Sequence, residues 1–177
     1  MEVLQGRPTD ETGRLEKEIA VYDLLDKLDI PFRRVDHVHA DTMEMCQEID
    51  QALGQDICKN LFLCNRQKTK FYLLLMPGDK PFKTKDLSAQ IGSSRLSFGG
   101  AEDMERLLNL TPGSVTVLGL MYDPDCQVTL LIDQDLYQQS AFGCHPCINT
   151  SSLRMKTKDV LEKFLPAVHH EAIFVKL

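Results

Sequence analysis

The hydrophobic residues of the chain follow two periods, one helical and one extended. Over residues 14–29 the apolar side chains recur every three or four positions, which predicts an amphipathic helix that ends before Pro31. Two unbroken apolar runs at 57–64 and 71–76 enclose the polar segment 65–70, and this arrangement predicts a β-hairpin. Both kinds of element therefore occur within the first half of the chain.

Capping and turn residues divide the rest of the sequence into short elements. Asp41, followed three residues later by Glu44, resembles a capping box and predicts a helix that runs to about Leu53. Further helices are predicted at 84–91, 101–109 and 158–168, with a short one near 134–139. Further strands are predicted at 33–38, 96–98, 115–122, 127–132 and 172–176.

The order of these elements predicts the fold class. Helices are interspersed with strands, but several neighbouring strands are joined by hairpins, which does not suit a doubly wound parallel sheet. We expect an α+β fold in which one domain at 14–177 contains a mixed, mostly antiparallel sheet with flanking helices. Residues 1–13 are expected to form a loose N-terminal tail.

Composition excludes several classes of protein. Of 177 residues, 43% are hydrophobic and 26% charged, so the chain can bury a sizeable core and is not disordered as a whole. No apolar stretch approaches the ~20 residues of a membrane span, and the N-terminus lacks the apolar core of a signal peptide. We therefore expect a cytoplasmic protein that makes no membrane contact. The net charge of −6 argues against bulk coating of nucleic acid, although basic clusters at 66–70, 80–85 and 154–158 could contact phosphates.

Two local patterns are candidates for chemistry on the residues alone. Cys144 and Cys147 form a Cys-x-x-Cys, but no second pair completes a zinc site and the following residues are poor helix formers, so incidental loop cysteines are favoured. Lys59 stands inside the apolar run 57–64, where it either faces solvent or points into a cleft and binds an anion or a carbonyl. His37 and His39 are interpreted as a surface strand face. We expect no metal and no organic cofactor.

Several segments, taken in order, resemble the free-standing relatives of the editing insertion domain of bacterial prolyl-tRNA synthetase, the YbaK-like trans-editing proteins. The resemblance covers about residues 16–177, and the subgroup most similar is the PrdX or ProXp-ala type. That subgroup removes alanine mischarged on proline tRNA, while a sister subgroup removes cysteine. The segments that carry the resemblance are 58–63 (CKNLFL), 86–88 (DLS), 93–98 (SSRLSF), 110–116 (LTPGSVT) and 142–150 (FGCHPCINT).

The resemblance implies roles for particular residues. Lys59 matches the family's strand lysine, Asn60 follows it as in the alanine-specific members, and Gly143, His145 and Pro146 match a Gly-x-His-Pro loop over the pocket. Lys59, Gly143 and His145 are therefore the expected catalytic residues. The expected substrate-binding residues are Asn60, Met43, Ser93, Ser94, Pro146 and Asn149.

The implied reaction is hydrolysis of an aminoacyl ester at the 3′ end of a tRNA. An ester is already activated, so a positioned water and a stabilised oxyanion suffice. Backbone N–H groups near Gly143 could form the oxyanion hole, and a ribose hydroxyl of the substrate would orient the water. The expected partner is the acceptor end of tRNA(Pro), with prolyl-tRNA synthetase as a further candidate. A sensor that binds without turnover, a Cys-tRNA(Pro) deacylase and a thiol redox protein remain the alternatives.

Overall fold

The computed structural model describes residues 1–177, which fold into two sheets and short helices. The strands are β1 (Leu4–Gln5), β2 (Phe32–Asp36), β3 (Lys59–Cys64), β4 (Phe71–Met76), β5 (Ser97–Phe98), β6 (Val128–Asp133), β7 (Ala141–Cys144), β8 (Ser151–Lys156) and β9 (Ala172–Val175). The α-helices are α1 (Glu16–Lys27), α2 (Met43–Leu53), α3 (Thr84–Ile91), α4 (Ala101–Leu108), α5 (Gln134–Tyr137), α6 (Thr157–Asp159) and α7 (Leu165–Ala167). A 3-10 helix spans Val117–Tyr122, and a π-helical turn, Val160–Phe164, joins α6 to α7.

The first sheet is antiparallel throughout, with the strand order β1-β2-β8-β7. Its edge strand β1 belongs to the segment that the sequence predicted to be a loose tail. The structure differs here, because Leu4 pairs with Arg34 and the Gly6 amide donates to the carbonyl of Phe32 at 2.9 Å. Arg7 adds ion pairs to Glu11 and Asp23, so this segment is held against the domain.

The second sheet is mixed, with the order β5-β3-β4-β6-β9. β3 pairs antiparallel with β4 and β5, whereas β6 pairs parallel with both β4 and β9. All six residues of the central strand β4 are buried, which explains its unbroken apolar sequence. The α+β class and the flanking helices are confirmed, but the strands form two sheets rather than one.

Three apolar clusters hold the layers together. The main core contains 31 buried residues and joins both sheets, with Phe32 and Phe142 from the first and Phe62 and Leu73 from the second. A smaller cluster packs Leu87 of α3 on the other face of the second sheet. In the third, α2 lies on the first sheet and covers it with Ile49 and Leu53, which contact Val35.

Two local predictions were wrong. The segment predicted as a strand at 115–122 is the 3-10 helix, where Thr116 Oγ1 accepts a hydrogen bond from the Leu118 amide and Gly119 packs against Leu110. A continuous apolar run does not distinguish a buried strand from a buried helix. The N-cap of α2 is Thr42, not Asp41, and its hydroxyl accepts from the Met45 amide at 3.2 Å. None of the helices has the length and apolar character needed to span a bilayer.

Candidate active site

Besides the shared core, an isolated parallel backbone bridge between Ile57 and Gly143 joins the first sheet to the segment that leads into the second. The Cys58 amide donates to the Gly143 carbonyl at 3.3 Å, which ties the start of β3 to β7. Beyond this point the two strands separate, because β7 ends at Cys144 and its chain turns into a loop while β3 continues. We take the region between the start of β3 and the loop after β7, directly beyond the bridge, as the candidate crevice.

Gly143 is required for this contact. A Cβ atom at this position would lie 3.0 Å from Ile57 Cγ1 and 3.2 Å from Ile57 Cα, closer than ordinary van der Waals contact. The missing side chain thus lets β7 approach the 56–58 segment. Its carbonyl is already bonded to Cys58, so the structure gives Gly143 a packing role besides the oxyanion role expected from the resemblance.

Lys59 and His145 each stand two residues beyond the bridge, at the mouth of the crevice. Along the edge of β3 that faces it, β5 pairs only with Leu63 and Cys64. The stretch from Lys59 to Leu61 therefore has no strand beside it on that edge. The N–H and C=O groups of Asn60 point to that edge and have no strand partner there, whereas those of Lys59 and Leu61 point to β4.

The side chains of Lys59 and Asn60 lie on opposite faces of β3. Lys59 Nζ donates to the Lys80 carbonyl at 2.7 Å, beyond the end of β4. The Lys80 ammonium in turn pairs with Asp133 at 2.7 Å and with Asp135 at 2.9 Å. The Lys59 ammonium is consequently anchored away from the crevice and must leave the carbonyl to reach a substrate there.

Asn60 faces the core side of the strand. Its Nδ2 donates to the Cys58 carbonyl at 2.9 Å and its Oδ1 lies 3.8 Å from the Cys58 thiol. Burial raises the pKa of that thiol to about 12, so it stays protonated near neutral pH. Asn60 thereby stiffens the first residues of β3, next to the bridge.

His145 belongs to a histidine and serine cluster. Its Nδ1 lies 3.0 Å from the Ser151 carbonyl and 3.3 Å from Ser152 Oγ, and the same hydroxyl lies 2.9 Å from His37 Nε2. Burial lowers the pKa of His145, and the neighbouring His37 and His39 lower it further. The imidazole is therefore neutral near pH 7.

A second polar network links the end of β2 to the start of β8, next to the His145 cluster. Asp36 binds Arg14 Nη2 at 2.9 Å, binds Arg34, and accepts from Ser151 Oγ at 2.7 Å. Burial alone would raise the pKa of Asp36. Hydrogen bonds from the two guanidinium groups and the serine hydroxyl outweigh burial and hold that pKa well below its usual range.

Asn149 lines a polar cavity of about 580 Å³ on the other side of the same loop. Arg14, Lys17 and His39 share this cavity, and the Asn149 Nδ2 lies 3.5 Å from His39 Nε2. The Asn149 Oδ1 is buried and has no hydrogen-bond partner. The cavity thus lies beside the loop that carries His145 and the buried Pro146, with Arg14 paired to Glu18 and Asp36 and with Lys17 bonded to the Asn109 carbonyl.

Three predicted substrate-binding residues lie apart from the crevice. The side chain of Met43 at the start of α2 is exposed, with 78% of its surface accessible, and forms no pocket wall. Ser94 Oγ accepts from the Arg66 amide at 3.2 Å, beyond the far end of β3, and Ser93 adjoins it. That end lies about 17 Å from Lys59, since β3 advances ~3.3 Å per residue. Ser93 and Ser94 therefore lie at the opposite end of β3 from Lys59, and their contact with the substrate stays a prediction.

The cysteine pair does not have the features of a redox site. Cys144 and Cys147 are both buried, and Cys147 adopts a left-handed backbone with φ of 63°. Burial raises the pKa of Cys144 well above its ordinary value and that of Cys147 to about 12. Reactive thiols need the opposite shift. No group of three or more His, Cys, Asp or Glu side chains is placed to hold a metal ion.

Sequence reasoning missed the partners of His145. His37 was interpreted as part of a surface face, yet it is half-buried and shares the Ser152 hydroxyl with His145. Ser152 follows the matched segment 142–150 by two residues and gave no signal of its own. Arg14, which directly follows the predicted tail 1–13, was not predicted to belong to the site. Only the pairing of β2 with β8 brings these three regions together.

The model of the aminoacyl-tRNA editing domain family matches residues 37–163, and the chain belongs to that family. The prolyl-tRNA editing protein ProX of Acetoanaerobium sticklandii is 31% identical over 153 residues, which are 86% of this chain and 93% of that protein. Prolyl-tRNA synthetase associated domain-containing protein 1 of Danio rerio is 26% identical over 163 residues, 91% of this chain and 86% of that one. The family predicted from the sequence is thereby confirmed.

Solved structures share the fold. A candidate trans-editing enzyme for prolyl tRNA synthetase superposes with a TM-score of 0.66 over 92% of this chain and 98% of that chain, at 17% identity. The hypothetical protein APE2540 superposes with a TM-score of 0.62 over 88% of this chain and 96% of that one, at 14% identity. At these identities the likeness supports the α+β architecture alone.

Proposed function

We propose that the protein is a trans-editing deacylase that hydrolyses the ester of alanine mischarged on tRNA(Pro). The observation that carries the proposal is the bridge between Ile57 and Gly143: Lys59 lies two residues after it on β3, and His145 lies two residues after it in the loop that follows β7. These are the residues that the family resemblance assigns to catalysis. The family match over 37–163 includes all of them.

The crevice would hold the ester between the open edge of β3 and the loop after β7. Water adds to the carbonyl carbon, the ester C–O bond breaks, and the products are a free amino acid and a ribose hydroxyl. Free backbone groups near Asn60 can bind the amino acid, as a strand edge binds an extended peptide. The Lys59 ammonium, once released from the Lys80 carbonyl, would hold the terminal phosphate or the developing oxyanion.

His145 acts in this scheme as a neutral hydrogen-bonding group. Because a carbonyl can only accept, the contact with Ser151 places the proton on Nδ1 and leaves Nε2 as an acceptor. An acceptor at this position can orient a ribose hydroxyl or the attacking water. A ribose hydroxyl that activates the water, as the resemblance implies, needs such an orienting group rather than a strong base.

An exposed aromatic side chain marks where the terminal base would lie. Phe98 of β5 is 67% exposed and stands opposite Leu63, four residues from Lys59 along β3, or about 13 Å. Its ring meets Phe82 edge to face at a centroid distance of 6.3 Å. Aromatic rings at strand edges stack on nucleobases, so we assign the terminal adenine to Phe98.

Discrimination against proline would rest on size. Hydrophobic contacts distinguish one methylene by only about 1–3 kcal/mol, whereas a pocket that is too small rejects the larger group sterically. The buried Pro146, in the loop after β7, is the residue that would limit the size of the bound amino acid on that side. Alanine, the smaller substrate, is therefore the expected amino acid, with cysteine as the alternative of similar size.

The test is deacylation of tRNA(Pro) charged separately with alanine, cysteine and proline. Rapid loss of alanine alone is the expected result. Loss of cysteine alone would keep the reaction and change the specificity. No loss of any amino acid, with binding of the charged tRNA retained, would contradict the deacylase and support a sensor. The Lys59→Ala variant serves as the matched inactive control.

A further inference from the structure

A separate cavity of about 700 Å³ lies at the opposite end of β7 from the crevice. Ser140, which precedes β7, lines it together with the end of β8 and the α6–α7 helical segment. Ser140 is three residues from Gly143, or about 10 Å along the strand. The volume falls within the range of small-ligand sites in proteins. None of the residues assigned to the proposed reaction lines this cavity.

Two exposed aromatic rings form one wall. Tyr137 at the end of α5 and Phe174 of β9 are 50% and 44% exposed, and their centroids lie 4.7 Å apart with a tilt of 55°. Because the two rings are in contact, they form a contiguous aromatic patch beside the cavity rather than two scattered apolar side chains. Their outer faces are a platform on which a planar ring can stack.

The polar groups around the platform suit a nucleotide. Lys156 lines the cavity, is exposed, and forms no ion pair, so its charge is available for a phosphate. Lys158 lies beside it and is only loosely paired, with Glu162 at 4.0 Å. Two carboxylates, Glu162 and Glu171, also line the cavity and can accept hydrogen bonds from the exocyclic amino group of a base.

One buried hydroxyl lacks a partner. Thr157 lines the cavity with 5% of its surface accessible, and its Oγ1 forms no hydrogen bond within the protein. A buried hydroxyl without a partner is costly, so a hydrogen bond from a ligand would stabilise it. The oxygen itself is enclosed by protein atoms, so a ribose or phosphate oxygen of a bound nucleotide would bond to it only after the Thr157 side chain rotates towards the cavity.

We propose that the cavity bounded by Tyr137, Phe174 and Lys156 is a nucleotide-binding site, with the base stacked on the aromatic pair and one phosphate at Lys156. The nucleotide can be free or part of an RNA strand, since both present the same base and phosphate. This cavity lies apart from the crevice, so nucleotide binding there can be tested independently of the deacylase reaction.

The experiment is titration of the full-length protein with AMP and with a four-nucleotide single-stranded RNA, followed by NMR. AMP is expected to shift the resonances of Tyr137 and Phe174. Phe174→Ala and Tyr137→Ser should each weaken AMP binding at least tenfold, and Lys156→Ala should weaken it and reduce its salt dependence. Lys85→Ala, an exposed lysine elsewhere, should bind as the wild type does.

Two further variants distinguish a loss of AMP binding at this cavity from effects at the crevice and from misfolding. Lys59→Ala should retain AMP binding at Tyr137 and Phe174 even where deacylation is lost. Thr157→Val removes the unpartnered hydroxyl at nearly constant shape; it should bind AMP several-fold more weakly while unfolding at an equal or higher urea concentration.

Tighter binding of the RNA than of AMP would identify an RNA strand as the ligand, and the reverse would identify a free nucleotide. Absence of AMP and RNA binding, or equal binding by all variants, would overturn the proposal.

Discussion

His145 Nδ1 lies 3.0 Å from the carbonyl oxygen of Ser151, at the point where the loop after β7 returns to β8. Ser151 Oγ donates to Asp36 at 2.7 Å. A single residue thus links the imidazole to the arginine pair that holds Asp36. This connection fixes the ring in one orientation, and it explains why a loop residue can hold a defined position at the crevice.

The first prediction concerns pH and stability. The pKa of His145 is lower in the folded protein than the ordinary value near 6.5, so below about pH 6.5 the unfolded chain binds more protons than the folded one. Stability should therefore fall as the pH drops through 6.5 towards 5, while this group contributes no pH dependence above pH 7.5. His145→Gln should flatten that fall. Urea unfolding at several pH values measures it, and an unchanged slope in the variant would contradict the assignment.

The second prediction concerns Lys59. Removal of a group that stabilises charge in the transition state lowers kcat by about 10²–10³-fold, and we expect at least 10²-fold for Lys59→Ala in single-turnover deacylation. The stability cost should be only about 1 kcal/mol, since the variant loses one hydrogen bond to the Lys80 carbonyl. Lys85→Ala is the matched control and should retain full activity. Full activity of Lys59→Ala would remove Lys59 from the mechanism.

The third prediction tests the bridge between the sheets. Gly143→Ala places a methyl group 3.0 Å from Ile57 Cγ1 and should destabilise the fold by about 1–3 kcal/mol as the 56–58 segment is displaced. Gly100→Ala meets nothing within 4 Å but replaces the N-cap glycine of α4, where Ala is disfavoured, and should cost at most about 1 kcal/mol. Urea titration of both variants measures the difference between their free energies of unfolding. Equal free energies would show that the close contact between Gly143 and Ile57 does not matter for stability.

The fourth prediction concerns Phe98. Stacking of one base on an aromatic ring is worth about 1–3 kcal/mol, so Phe98→Ala should raise KM about tenfold or more and leave kcat nearly unchanged. Its exposure means that the protein should fold normally. Phe98→Tyr keeps the stacking face and should restore the KM. A variant whose kcat falls while its KM is constant would assign Phe98 to the chemical step.

The fifth prediction concerns the cysteines. Cys46 and Cys126 are exposed, whereas the other four thiols are buried. A thiol reagent should therefore modify two groups rapidly in the native protein and all six after unfolding. Mild oxidation should leave Cys144 and Cys147 as thiols. A disulfide between them that forms readily and changes activity would revive the redox hypothesis.

The sequence by itself determined the α+β class of the fold and the family of the protein. Regular periods of hydrophobic residues identified α1 and the β3–β4 hairpin, because burying one face or both faces of an element leaves a repeating pattern. The motifs around Lys59 and His145 were local and continuous, so they could be recognised without knowing what lies next to them.

The tertiary structure decided how distant segments meet. The division into two sheets and the parallel pairing of β6 depend on contacts between residues far apart in the chain, which no local pattern records. The 3-10 helix at Val117–Tyr122 replaced a predicted strand because its apolar residues are buried all round. Likewise, Ser93 and Ser94 were separated from Lys59, and His37 was joined to His145, by the packing of strands against one another. Residues that are distant in the sequence become neighbours only when the helices and strands that carry them pack together. Their proximity therefore depends on which apolar surfaces bury each other.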